Sequence, residues 1–276
     1  MRYKPFGATG AKVSEIGMGT YYDPVWIATA ILGWRRGASR KVAALKTGIE
    51  GGINLIDTAE IYGSEPLVAR AVQGFKRDDL FIATKVWPNH LHRDALIRAL
   101  EKSLSRLQLS YVDLYQIHFP NHRVPIAETM AAMEEAKEMG KIRHVGVSNF
   151  SLKELQEANA SLRRSQIDSN QVPYSLVNRA IEGDLLPYCA REKIAILAYF
   201  PLGHGKLVSS GRKTRDLRER YSKTSSQIAL SWLASRENVF PIPRASNEEH
   251  VRENLQASEW QMKEEDVVEL EKRFAI

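Results

Sequence analysis

Apolar and polar positions alternate along the chain with a regular beat. Residues 2–13 pattern as a small hairpin, with Gly7-Ala8-Thr9-Gly10 as its turn. Short apolar runs that read as strands then fall at 16–19, 53–57, 80–85, 112–118, 144–147, 169–172, 194–199 and 239–242. Between them lie helical patterns at 40–50, 65–73, 94–107, 126–139, 182–191, 225–235 and 248–256, with one more opening at Ser151-Leu152-Lys153-Glu154, a capping box. The clearest is 94–107, which puts Leu96, Leu100, Leu104 and Leu107 on one face. Eight strand-then-helix units with no break in composition require right-handed crossovers and a parallel sheet. In a chain of 276 residues they predict one domain over 1–276, a closed (β/α)8 barrel preceded by a β-hairpin. The longest stretch without an element, 201–223, carries Gly203, Gly205 and Gly211 and reads as a loop over a ligand or a surface excursion.

Composition adds exclusions. Hydrophobic residues at 43% and charged residues at 26% are ordinary for a globular protein. No apolar run reaches the length of a membrane span, and Met1-Arg2-Tyr3-Lys4 opens no signal peptide. The single cysteine, Cys189, rules out an internal disulfide, fits a reducing cytoplasm, and reads as a packed thiol. A net charge of +6 suggests nucleic acid, but the basic residues are interleaved with acids. Even the densest stretch, 212–220, is interrupted, so it fits a solvated face or a loop near a phosphate better than a duplex-binding stripe.

Candidate chemistry gathers at the carboxyl ends of the strands, which converge in a barrel. The second strand ends at Asp57, with Tyr62 on the following loop; the third ends at Lys85 and the fourth at His118. Each of these strands is apolar until its last residue. A lysine ending Phe81-Ile82-Ala83-Thr84 needs a carboxylate partner, which Asp57 is placed to supply. Tyrosine is a poor acid at neutral pH, with an ordinary pKa of about 10. A neighbouring Lys85 should lower that value, and His118 should orient a substrate oxygen. A proton donor beside a carbonyl, without a nucleophilic serine or cysteine, points to hydride transfer from a reduced cofactor.

These blocks resemble those of the aldo-keto reductases. The likeness lies in Leu55-Ile56-Asp57-Thr58-Ala59 with Tyr62-Gly63, Ala83-Thr84-Lys85, and Leu114-Tyr115-Gln116-Ile117-His118. It continues through Gly17-Met18-Gly19-Thr20, 140–150 and Tyr199-Phe200-Pro201-Leu202-Gly203, covering nearly the whole chain. The resemblance implies an NADPH-dependent reductase of an aldehyde or ketone. Tyr62 is then the general acid, Lys85 and Asp57 tune it, and His118 orients the carbonyl. It also implies that Ser148, Asn149 and Gln171 hold the nicotinamide carboxamide, that Tyr199 stacks on the ring, and that Gly19 and Thr20 lie beside the cofactor. Leu202 and Gly203 would let the pyrophosphate approach. Arg244, Ala245, Ser246, His250, Glu253 and Asn254 match the segment around the adenosine and its 2′-phosphate. Substrate walls are expected from Tyr22, Trp26, Trp87 and Phe119. A monomer is the family's default, and the chain's end at Ile276 suggests a relatively open bowl.

Three positions depart from the family pattern. Phe200 stands where many relatives have serine, Arg244 where lysine or glycine is common, and His250 where arginine often completes the phosphate site. Two rivals were weighed. Gly17-Met18-Gly19 lacks the third glycine of a dinucleotide fingerprint, Tyr22 standing there instead. His90-Leu91-His92 has the form of a metal-binding pair, but it lies past the strand and no ligand set accompanies it, so no metal is expected. A non-catalytic, nucleotide-sensing subunit on the same fold is the alternative to an enzyme.

Overall fold

The computed structural model of the chain describes residues 1–205, 207, 212–244 and 246–274. β1 (Tyr3–Pro5) and β2 (Lys12–Ser14) form the antiparallel hairpin. The other strands are β3 (Met18–Gly19), β4 (Leu55–Asp57), β5 (Phe81–Val86), β6 (Val112–Ile117), β7 (Ile142–Ser148), β8 (Ser169–Pro173), β9 (Ala195–Tyr199) and β10 (Val239–Pro241). They form one parallel sheet in sequence order. Its two edges meet: the Gly17 N–H donates to the Pro241 carbonyl and the Gly19 N–H to the Pro243 carbonyl, each at 2.9 Å, and Gly19 bridges Arg244. The sheet therefore closes into a (β/α)8 barrel. Gly19 is a glycine for that closure, because a Cβ there would stand 2.9 Å from the Ile242 carbonyl oxygen.

The helices are α1 (Pro24–Ile31), α2 (Ala38–Glu50), α3 (Glu65–Val72), α4 (Arg93–Leu107), α5 (Ile126–Glu138), α6 (Leu152–Ser161), α7 (Leu185–Arg191), α8 (Arg215–Tyr221), α9 (Ser225–Ala234), α10 (Glu248–Gln256) and α11 (Glu264–Arg273). The leucine face of α4 is buried as its spacing requires, and the Ser151–Glu154 capping box opens α6. Three helices escaped the periodicity. The run Pro24–Ile31 is mostly apolar and has no amphipathic stripe; its signal was Asp23-Pro24, a cap followed by proline, and the Asp23 carboxylate accepts from the Trp26 N–H at 2.7 Å. Helix α8, inside the 201–223 stretch, buries only Leu217 and is pinned from outside by Arg273–Asp216 and Arg220–Asp266. Helix α11 begins with acids, ends with basic residues, and buries Leu270.

Strand alternation explains where the site arises. Successive strand side chains face opposite sides. Leu55, Phe81, Ala83, Leu114, Ala195, Leu197, Phe240 and Ile242 face the barrel interior as one cluster, which Phe6 and Val13 of the hairpin close from below. Ile56, Ile82, Tyr115, Ile117, Val145, Val147 and Ile196 face outward and belong to the cluster under the helices. Two residues beyond the inward Leu55, Ala83, Leu114 and Leu197 come Asp57, Lys85, Gln116 and Tyr199. The inward row thus changes from apolar to polar at the carboxyl ends of the strands.

Candidate active site

A cavity of about 860 Å³ opens at those strand ends. Its lining includes Asp57, Tyr62, His118, Ser148, Gln171 and Tyr199. Lys85 is fully buried. Its ammonium donates to the Asp57 carboxylate at 2.7 Å and to the Thr58 carbonyl at 2.8 Å. The other Asp57 oxygen accepts from Gln171 at 2.8 Å and from Gln116 at 3.5 Å. Thr20 does not border the cavity; its hydroxyl donates to the Asp57 backbone carbonyl at 2.9 Å and shares a hydrogen bond with Ser64. The buried charge of Lys85 is thus balanced by a carboxylate that is itself held from three directions.

Tyr62 reaches this pair from the short 3-10 turn Glu60–Tyr62. The Lys85 ammonium lies 4.9 Å from the centroid of its ring. Its hydroxyl is 3.3 Å from His118 Nε2, and its backbone carbonyl accepts from the Trp26 indole at 3.1 Å. In the free chain the Tyr62 phenol is held well above its ordinary pKa, first by burial and then by Asp57, Tyr199 and Tyr21. This corrects the expected lowering by Lys85: the ammonium is balanced by Asp57, so removal of the phenol from water dominates. The phenol is accordingly proton-loaded. Burial, seconded by the Lys85 charge, pushes His118 down to about 3, so the imidazole is neutral. Burial likewise lowers Lys85, against the pull of Asp57.

The polar wall from β7 to β9 is tightly cross-bonded. The Ser148 hydroxyl donates to the Gln171 carbonyl at 2.9 Å. The Asn149 amide donates to the His118 carbonyl and to Ser148 Oγ, each at 3.0 Å, while its oxygen accepts from the Tyr199 hydroxyl at 2.7 Å. Asn149 is left-handed, at φ 63°, a region asparagine tolerates. With both amide hydrogens committed, it fixes His118 and Tyr199 and keeps only acceptor capacity for a ligand. Phe200 is also left-handed, at φ 49°, which is strained for a bulky residue. It packs edge-on against Tyr199 and Tyr21 at the cavity wall.

The aromatic residues separate into two groups. Trp87 and Phe119 line the cavity on either side of His118, one edge-on and one stacked. Tyr22 also lines it, whereas Trp26 stands behind, edge-on to Tyr22, and Ile27 takes its place in the wall. Among the expected cofactor residues, Gly19, Leu202 and Arg244 border the cavity, while Gly203 faces Val177. Ser246, His250, Glu253 and Asn254 do not border it. His250 rests on Asn247, the N-cap of α10, and Glu253 accepts from Thr224. Ala245 lies outside the described residues.

Sequence reading missed Gln116 as part of the site. Its signal was a polar residue inside an otherwise apolar central strand. It also missed the network behind Lys85, where buried Glu65 accepts from Thr84 at 2.7 Å and from Arg106 at 2.5 Å. His90 and His92 bond different carboxylates, Glu60 and Glu128. No group of three or more potential metal ligands occurs among the described residues. No helix of the described residues is long and apolar enough to cross a membrane. Cys189 is buried, and burial pushes its thiol up to about 12.

The sequence profile of the Aldo/keto reductase family matches residues 16–273. The chain belongs to the aldo/keto reductase family. It is 36% identical over 241 residues to the methylglyoxal reductase YeaE of Escherichia coli (strain K12), spanning 85% of this chain and 84% of that protein. The crystal structure of the thermostable aldo-keto reductase Tm1743, in complex with the inhibitor epalrestat, superposes with a TM-score of 0.89 at 39% identity, over 99% of this chain and 100% of that one. An aldo/keto reductase from Klebsiella pneumoniae, crystallised with NADP and acetate, gives a TM-score of 0.86 at 33% identity, over 99% of this chain and 95% of that one.

Proposed function

We propose that this aldo-keto reductase uses NADPH to reduce a small aldehyde or ketone to the alcohol, with Tyr62 as the proton donor. The observation that carries the reading is the buried Lys85–Asp57 pair beneath a Tyr62 hydroxyl that is itself 3.3 Å from a neutral imidazole. The residues present fit a reduced nicotinamide dinucleotide. Tyr199 offers an aromatic face, Ser148 and Gln171 offer polar groups for a carboxamide, and Arg244 offers a cation for a phosphate. Bound NADPH supplies the hydride that goes to the carbonyl carbon. The protein supplies the rest.

Neutral His118 presents an imidazole nitrogen beside the Tyr62 hydroxyl, so a carbonyl oxygen seated there meets two polar groups at once. The proton on Tyr62 Oη passes to that oxygen as the alcohol forms, and the tyrosinate left behind is stabilised by the nearby Lys85 ammonium. Solvent then restores the phenol proton. Asp57 keeps Lys85 charged and fixed throughout.

The walls formed by Tyr21, Trp87, Phe119 and Phe200 suit a small carbonyl compound bearing an apolar or planar flank. The kinship with a methylglyoxal reductase supports placing dicarbonyls first among substrates. The test is to follow loss of NADPH absorbance against short aldehydes, methylglyoxal-like dicarbonyls, aromatic aldehydes and sugars. Turnover is expected with at least one class. NADPH binding without turnover on any carbonyl would instead favour the nucleotide-sensing role.

A further inference from the structure

Three cationic or hydrogen-donating groups meet at one corner of the cavity with no full complement of partners. Arg244 lines the cavity and donates to the Tyr22 backbone carbonyl. Tyr22 also lines it, is 2% exposed, and has a buried hydroxyl with no hydrogen-bond partner among the described residues. Lys41 comes from the first turn of α2 and holds its ammonium 4.9 Å from the Tyr22 ring centroid and 4.4 Å from that of Trp26. The phenol of Tyr22 is raised by burial, against the Arg244 charge, so it stays a donor.

The local sequence makes this arrangement costly unless an anion joins it. From Pro24 to Ile49 there is no acidic residue, yet Arg35, Arg36, Arg40, Lys41 and Lys46 all fall there. Arg40 and Lys41 stand in the first turn of α2, where the helix dipole disfavours cations. The one nearby acid, Asp23, is committed to capping α1. Lys41 is lowered by partial burial, with Asp23 opposing and Arg244 and Arg40 adding to the effect. Like charges brought this close, beside an orphaned hydroxyl, make an anion-binding corner.

We propose that Tyr22, Lys41 and Arg244 together bind a phosphate group of the dinucleotide, which assigns Tyr22 and Lys41 to the cofactor rather than to the substrate wall. The proposal rests on the NADPH-dependent reading above. The phosphate chemistry has two sources, the diphosphate bridge common to both dinucleotides and the 2′-phosphate of NADPH alone. The shared requirement is a dense negative charge presented to two cations and one hydroxyl.

The test is direct binding to the full chain, by quenching of tryptophan fluorescence, of NADPH, NADH, ADP and adenosine 2′,5′-bisphosphate. Lys41→Met keeps the stem over the two rings and removes only the charge, and Lys41→Arg restores it. For Lys41→Met the dissociation constant is expected to rise about tenfold, the scale of one charge-assisted contact, with Lys41→Arg near the parent and Tm unchanged. Tyr22→Phe should raise it by a smaller factor in the same ligands. Losses shared by NADH and ADP assign the corner to the diphosphate. Losses confined to NADPH and adenosine 2′,5′-bisphosphate assign it to the 2′-phosphate. Unchanged binding of all four ligands by Lys41→Met and Tyr22→Phe overturns the inference while leaving the enzymatic reading intact. A parent protein that binds neither dinucleotide overturns both.

Discussion

Charge neutralisation in the barrel separates stability from catalysis, and the Lys85–Asp57 pair is where to measure it. Both side chains are buried and their charged atoms are 2.7 Å apart. Removing one partner of such a pair leaves an uncompensated buried charge, at a cost of about 3–5 kcal/mol. In Lys85→Met the Asp57 carboxylate still accepts from Gln171 and Gln116, so the loss should fall toward the lower end. At about 2–4 °C per kcal/mol for a domain approaching this size, Tm should drop by roughly 6–20 °C. The double change Lys85→Met with Asp57→Asn removes both charges, so it should recover most of that stability. It should recover no activity, because nothing then stabilises the Tyr62 oxyanion. Thermal unfolding and NADPH consumption on parent, singles and double make the comparison. A double variant as unstable as the singles would show that packing, not charge, sets the cost. Appreciable turnover in Lys85→Met would remove Lys85 from the mechanism.

Other outcomes follow from the same geometry. Tyr62→Phe should lower turnover by roughly two to four decades while leaving NADPH binding unchanged, measured by steady-state kinetics and fluorescence titration; near-parent turnover would refute the acid assignment. Arg244→Ala should weaken NADPH by about 1.5–3 kcal/mol if the guanidinium reads the 2′-phosphate, with NADH almost untouched; equal losses would refute that reading. His118 is neutral when folded, with a pKa pushed down to about 3 from an ordinary 6.5. The unfolded chain therefore binds the extra proton first, so the stability His118 contributes is present above about pH 6.5 and is lost as pH falls toward 3. A series of Tm values from pH 7.5 to 4.5 should accordingly fall less steeply for His118→Gln than for the parent, and parallel slopes would contradict it.

Much of this was legible in residue order. The (β/α)8 beat follows from apolar runs and amphipathic spacing, and the one polar residue at the end of each of three apolar strands marked Asp57, Lys85 and His118. What the order of residues could not carry was direction. That Thr20 braces the Asp57 backbone, that Trp26 supports Tyr62 from behind, and that Asn149 spends its amide on His118 are matters of where side chains point once the ring closes. Helix α8 escaped because ion pairs with α11, supplied from far along the chain, hold it more than its own spacing does.

The sequence by itself determined the fold class and the identity of the titratable groups, because strand and helix periods and buried-charge pairing are local or nearly local rules. Only the tertiary structure decided their electrostatics. Desolvation depends on everything packed around a group, so burial raised Tyr62 where a neighbouring lysine alone suggested a lowered pKa. In the same way, ring closure brought Lys41 of α2 to the side of Tyr22 and Arg244, residues 19 and 203 positions away in the chain. No spacing rule connects them; the packing of α2 against the closing edge of the barrel does.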